Sequence, residues 1–175
     1  MTFLETKISG VFEVRPELIA DERGFFARAW CQKEFALHGL ASQVVQCNIS
    51  GNPRKRTLRG MHYQAAPFAE NKLVRCTQGS IFDVAVDLRP ASPTFKQWAA
   101  SVLTAANRHM LLIPEGCAHG FLTLEENCEV FYQISEFYHP EAARGVRWDD
   151  PTFGIVWPGA PEVISARDRS YPDFR

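Results

Sequence analysis

Two histidine-bearing segments hold the side chains best suited to chemistry. In TLRGMHYQ (57–64), a regular strand puts His62 on one face with Leu58, Gly60 and Gln64. Imidazole changes charge near neutral pH, so it suits a base that takes a proton and returns it. A histidine among apolar residues, taken alone, reads as structural. Its neighbours favour chemistry: Gly60 leaves room for close approach, and Arg59 offers a fork for phosphate. Arg59 and His62 stand three residues apart, so a regular strand aims them at opposite faces. Both can meet one ligand only if Gly60 sits at a bulge or strand end. The second segment, IPEGCAHGF (113–121), leads through a Pro-Glu-Gly turn to His119.

Two histidines raise the question of a metal. Gln64 stands where a His-x-His pair would place a second imidazole, and Gln is a poor transition-metal ligand. Cys31, Cys47, Cys76, Cys117 and Cys128 show no CxxC or zinc-ribbon spacing. No metal is expected, although His62 and His119 could be two ligands of an atypical site.

Short strands must position these residues. SIFDVAVDL (80–88) alternates, with Phe82, Val84, Val86 and Leu88 on one face and Ile81, Asp83, Ala85 and Asp87 on the other. The acids predict that the second face lines a cavity or is wet. Residues 102–104 and 110–113 are short apolar runs, and EVFYQIS (129–135) groups Val130, Tyr132 and Ile134. GNPRKR (51–56) reads as a solvated loop between strands. One short helix is expected over QKEFALH (32–38), ended by Gly39. Beyond Pro151, the alternation of Phe153, Ile155 and Trp157 predicts an irregular segment packed over a barrel.

The composition agrees with one β-rich domain over residues 1–175. An apolar fraction of 46% excludes bulk disorder. The formal net charge of −1 argues against a nucleic-acid binder. Scattered thiols and an N-terminus without a charged, then apolar, leader fit a cytoplasmic protein, and no run of apolar residues is long enough to cross a membrane.

DERGFF (21–26), QCNIS (46–50), LRGMHYQ (58–64), KLVRCTQGSIFDVAVDLRPASPT (72–94), IPEGCAHGF, YQISEFYHPE (132–141), RWDDP (147–151) and SARD (165–168) follow in order along nearly the whole chain. Together they resemble the dTDP-4-dehydrorhamnose 3,5-epimerase family. The resemblance implies an all-β, cupin-type jelly-roll barrel with a few short helices. It implies inversion at C3, C5 or both of a nucleotide-linked 4-keto-6-deoxyhexose, within dTDP-rhamnose and polysaccharide biosynthesis. No cofactor is implied, because the ketone already acidifies both neighbouring C–H bonds.

By the same resemblance His62 is the base, Asp168 its carboxylate partner, Tyr132 the acid across the ring and Lys72 the cation at the C4 oxygen. Without it, Asp168 reads as a surface acid, Tyr132 as a core side chain and Lys72 as a solvated strand end. Arg23 and Arg59 would hold the diphosphate, Gln46 and Asn48 the nucleobase edge, Phe26 and Tyr138 stacking surfaces, and His119 a place near the sugar. The expected partner, besides the nucleotide-diphosphate sugar, is a second copy: a homodimer in which the segment around Arg23 and Phe26 completes the other chain's site. The pattern departs from the family at Arg28, where an acid is usual, at Cys47, at Met61 and at Arg167. Three other classes stay open: a nucleotide-sugar 3,4-ketoisomerase, a metal-dependent cupin, and a non-catalytic sugar-nucleotide binder.

Overall fold

A computed structural model describes residues 1–38, 40 and 43–175. The strands are β1 (Thr2–Glu5), β2 (Phe12–Arg15), β3 (Ile19–Asp21), β4 (Gly24–Phe26), β5 (Gln46–Asn52), β6 (Thr57–Gln64), β7 (Lys72–Gln78), β8 (Ser80–Asp87), β9 (Trp98–Thr104), β10 (Met110–Ile113), β11 (Cys117–Thr123), β12 (Cys128–Ile134), β13 (Ala143–Gly145) and β14 (Val163–Ile164). The helices are α1 (Gln32–Leu37) and α2 (Ala166–Arg169). The helix expected at 32–38 is α1, while its expected cap, Gly39, lies outside the described residues. The strands at 80–88, 110–113 and 129–135 appear within a residue of the sequence reading.

Two sheets face each other as a jelly roll. One runs β1-β2-β10-β7-β12-β5; the other runs β13-β6-β11-β8-β9, with β14 added in parallel to β6. The inward rows change character along their length. On β7, Cys76 and Val74 enter the core and Lys72 does not; on β12, Cys128 and Val130 enter it and Tyr132 packs at its margin. Ile81, Leu103, Leu111 and Phe121 close the apolar end. Polar inward residues are thereby gathered at the other end of the sandwich.

Both outer faces are covered. α1 lays Phe35 on Val14, Leu73, Met110 and Leu112 of the first sheet. The C-terminal segment packs Phe153, Ile155, Trp157 and Phe174 on Val84, Val86 and Ala118 of the second, as the alternation predicted. β8 is therefore buried on both faces. Its acids are not wet: Asp83 and Asp87 have no exposed surface. A buried carboxylate needs partners, and Asp87 accepts from Arg89, Ser92 and Thr94 in the following loop.

Candidate active site

Gly60 takes φ +128°, a backbone conformation that favours glycine. The pairing of β6 with β11 slips here: His119 faces His62, but Phe121 faces Arg59. This bulge cancels the parity problem in the sequence, and Arg59 and His62 both line one cavity of about 890 Å³. The crossing with β11 admits hydrogen only. A methyl group on Gly60 would lie 2.5 Å from Gly120 Cα, and one on Gly120 would lie 2.6 Å from the Met61 sulfur.

His62 comes from β6 and the carboxylate beside it from the chain's far end. β14 pairs with Thr57 and Leu58 and brings α2 beside the site. Ser165 caps α2 by accepting from the Asp168 N–H at 3.0 Å. Asp168 Oδ1 then lies 2.7 Å from His62 Nε2, and Oδ2 accepts from the Gly60 N–H at 3.3 Å. Asp168 is 4% exposed, so it is no surface acid. Burial alone would raise its carboxyl, but hydrogen bonds from His62, Gly60 and Ser165 hold it below the usual carboxylate value. An ionised carboxylate only accepts, so the Nε2 hydrogen points at Asp168 and Nδ1 carries the basic lone pair. The Tyr171 ring stands edge-on to His62, 6.2 Å away.

Tyr132, Lys72 and His119 line the same cavity. Tyr132 is both packed against the core and open to the cavity. Burial pushes its phenol above the usual tyrosine value, Arg59 pulls it down and Glu70 pushes it up. It thus keeps its proton through neutral pH. Lys72 Nζ sits 2.7 Å from Glu70 Oε1 and donates to the His62 carbonyl at 3.2 Å. Behind His119, Asp83 Oδ1 approaches Nε2 at 2.7 Å. Burial pushes the Asp83 carboxyl up, against the pull of His119 and Lys72.

Among the described residues, three guanidinium groups on the wall have no carboxylate partner. Arg59 donates to Asn52 and the Gly51 carbonyl, Arg144 to the Glu141 and Ala143 carbonyls, and Arg167 to the Tyr171 hydroxyl. All these acceptors are neutral. Gln46 Nε2 donates to Asn48 Oδ1 at 3.0 Å, and Gln46 Oε1 accepts from the Tyr138 N–H. Gln46, Asn48 and the half-exposed Tyr138 form one rim of the cavity.

Arg23 and Phe26 do not join this cavity within the chain. They lie on the β3–β4 hairpin, which pairs with neither large sheet. Arg23 is bound to Asp21, and Phe26 is 69% exposed, so it is not core packing. Arg28 pairs with Glu34 of α1, away from the cavity. Glu70, Arg144 and Tyr171 escape a reading from sequence because nothing in their local pattern marks them. Asp83 left a signal, an acid between the apolar Ile81 and Ala85 on one strand face.

Residues 5–175 match the sequence profile of dTDP-4-dehydrorhamnose 3,5-epimerases. The chain belongs to the dTDP-4-dehydrorhamnose 3,5-epimerase family. The family's enzyme from Salmonella typhimurium is 43% identical over 175 residues, covering 98% of this chain and 94% of its own. A crystal structure from Bacillus anthracis, with TDP and PPi bound, has a TM-score of 0.94 and 39% identity and covers 99% of each chain. One from Legionella pneumophila, in complex with dTDP-4-keto-L-rhamnose, has a TM-score of 0.88 and 37% identity, covering 95% of this chain and 89% of its own. These two family members thus bind a nucleotide and a nucleotide sugar on this fold.

Proposed function

We propose that the protein epimerises dTDP-4-dehydro-6-deoxyglucose at C3 and C5 by proton transfer through an enolate. The observation that carries the reading is the His62–Asp168 pair opening onto the cavity that also holds Tyr132 and Lys72. His62 Nδ1 takes the proton from the carbon beside the C4 ketone, and Asp168 stabilises the imidazolium that results. The electron pair moves to the C4 oxygen, where the Lys72 ammonium meets the new charge. The Tyr132 hydroxyl returns a proton on the opposite face. Arg59, Arg144 and Arg167 hold the diphosphate, Gln46 and Asn48 meet the nucleobase edge, Tyr138 stacks on it, and His119 contacts the sugar.

The hairpin residues enter through a second copy. Leu18, Ile19, Phe25 and Phe26 expose apolar surface, and Arg23 stands beside them. Such a surface is what an isologous dimer covers. In the proposed homodimer each hairpin brings Arg23 and Phe26 to the partner's cavity. The cytoplasm, where nucleotide sugars are made, is the proposed location; among the described residues no helix is long and apolar enough to cross a membrane.

Solvent-deuterium exchange on dTDP-4-dehydro-6-deoxyglucose tests the reaction. Label is expected at C3 and C5, with inverted product, and His62→Ala should abolish both. Label at one carbon alone would make the protein a single epimerase. Absence of label at either would sink the reading, and a ketone moved to C3 would replace it with a ketoisomerase.

A further inference from the structure

His62 needs more than Asp168 to hold it still. Its side chain is 42% exposed, and Asp168 tethers a single ring atom, Nε2, at 2.7 Å. One hydrogen bond fixes a point and leaves the ring able to swing about it. A proton-transfer group must be held within about 10–20° of its working geometry by the side chains packed around it. The aromatic ring beside His62 is that of Tyr171, with 6.2 Å between centroids and 69° between planes, a favourable edge-to-face arrangement. Tyr171 is itself fixed. Gly145 stands opposite His62 in the β13–β6 pairing. A methyl group on Gly145 would lie 2.6 Å from the Tyr171 hydroxyl oxygen and closer still to its ring, so the phenol lies on bare backbone. Beyond Tyr171 the chain end is latched. The Phe174 N–H donates to the buried Asp150 at 2.6 Å, and Arg147 meets Asp173 at 2.6 Å.

The far end of the same side chain reaches the cavity wall. The Tyr171 hydroxyl accepts from Arg167 Nε at 3.0 Å. A guanidinium held by its Nε has the direction of its two terminal nitrogens set, which matters where a fork must meet phosphate oxygens. Tyr171 is not among the residues that line the cavity, so it acts through the two that are, His62 and Arg167. Resting on the epimerase reading, in which His62 is the base and Arg167 holds the diphosphate, we infer that Tyr171 is a positioning residue that sets both at once. Its ring keeps the imidazole plane aligned for proton removal, and its hydroxyl aims Arg167 at the diphosphate. The register between the reacting carbon and the anchored nucleotide is thereby built into one side chain, seated on Gly145.

The test separates the hydroxyl from the ring. Tyr171→Phe removes the bond to Arg167 and keeps the ring beside His62. With dTDP-4-dehydro-6-deoxyglucose it should raise KM and weaken dTDP binding by about 5–10-fold, with little change in kcat. Tyr171→Leu removes both contacts, so kcat and deuterium exchange at C3 should also fall, by about 10-fold or more. Gly145→Ala drives a methyl group into the ring and should lower kcat in the same sense. Thermal unfolding checks that each variant is folded. A merely structural role would lower kcat in proportion to the folded fraction and leave KM unmoved. Wild-type KM and dTDP affinity in Tyr171→Phe, or wild-type kcat in Tyr171→Leu, overturns the inference. If Tyr171→Leu fails to fold, wild-type kcat in Gly145→Ala overturns it instead. Wild-type protein that exchanges neither C3 nor C5 overturns the epimerase reading itself.

Discussion

Asp168 and Tyr132 differ in how their environments set them. Asp168 is held ionised by its hydrogen bonds despite burial, so it fixes the tautomer of His62. Asp168→Asn keeps the shape but lets the amide donate, which turns the ring or its proton the wrong way. Turnover should fall by about 10²–10⁴-fold while dTDP binding is unchanged. Tyr132 is shifted in the other sense, above the usual tyrosine value, and burial is the main cause. Its proton stays in place through neutral pH. Tyr132→Phe should therefore cut epimer formation by a similar factor while His62 still exchanges the C3 hydrogen. Equal loss of exchange and product in Tyr132→Phe would reject the acid assignment.

At the scale of elements, a bulge and a loop anchor carry the geometry. Gly60→Ala places a methyl against Gly120 at a φ that disfavours side chains. It should cost about 2 kcal/mol or more in urea denaturation and displace His62. Gly51→Ala meets nothing within 4 Å and should change stability by less than about 0.5 kcal/mol. Asp87 anchors the loop after β8. Burial would raise its carboxyl, but bonds from Arg89, Ser92 and Thr94 bring it down to about 2. The unfolded chain, with aspartate near about 3.9, binds this proton first as pH falls. The stabilisation is thus complete above about pH 4 and is lost toward about pH 2. Asp87→Asn should cost about 2–3 kcal/mol at neutral pH and flatten that acid limb in a denaturation series.

At the scale of the whole molecule, the hairpin decides whether one chain makes a complete site. If Arg23 serves the partner's cavity, inactive His62→Ala and inactive Arg23→Ala proteins should complement each other. Random mixing makes half the dimers mixed, each with one intact site of two, so about a quarter of wild-type activity should return. No recovery after verified subunit exchange would place Arg23 and Phe26 in their own chain's site or outside any site. A sedimentation measurement of the unmixed protein should give a dimer.

Sequence by itself marked several of the strands and, through the family resemblance, the residues proposed for the chemistry. Period-two patterns marked β8 and β12, and the step from Arg59 to His62 demanded an irregularity at Gly60, which the β6–β11 slip supplies. Local patterning can reveal these features because a strand's faces alternate residue by residue. Tertiary structure alone decided the partners. Asp168 looked like a tail acid until β14 carried it back to β6, and Glu70 had no mark at all until Lys72 and the cavity wall enclosed it. The acids of β8 read as lining a cavity or wet until the facing sheet enclosed the row they share with Ile81 and Ala85. Burial and long-range hydrogen bonds belong to chain segments far apart in sequence, and no local pattern encodes which of them will meet.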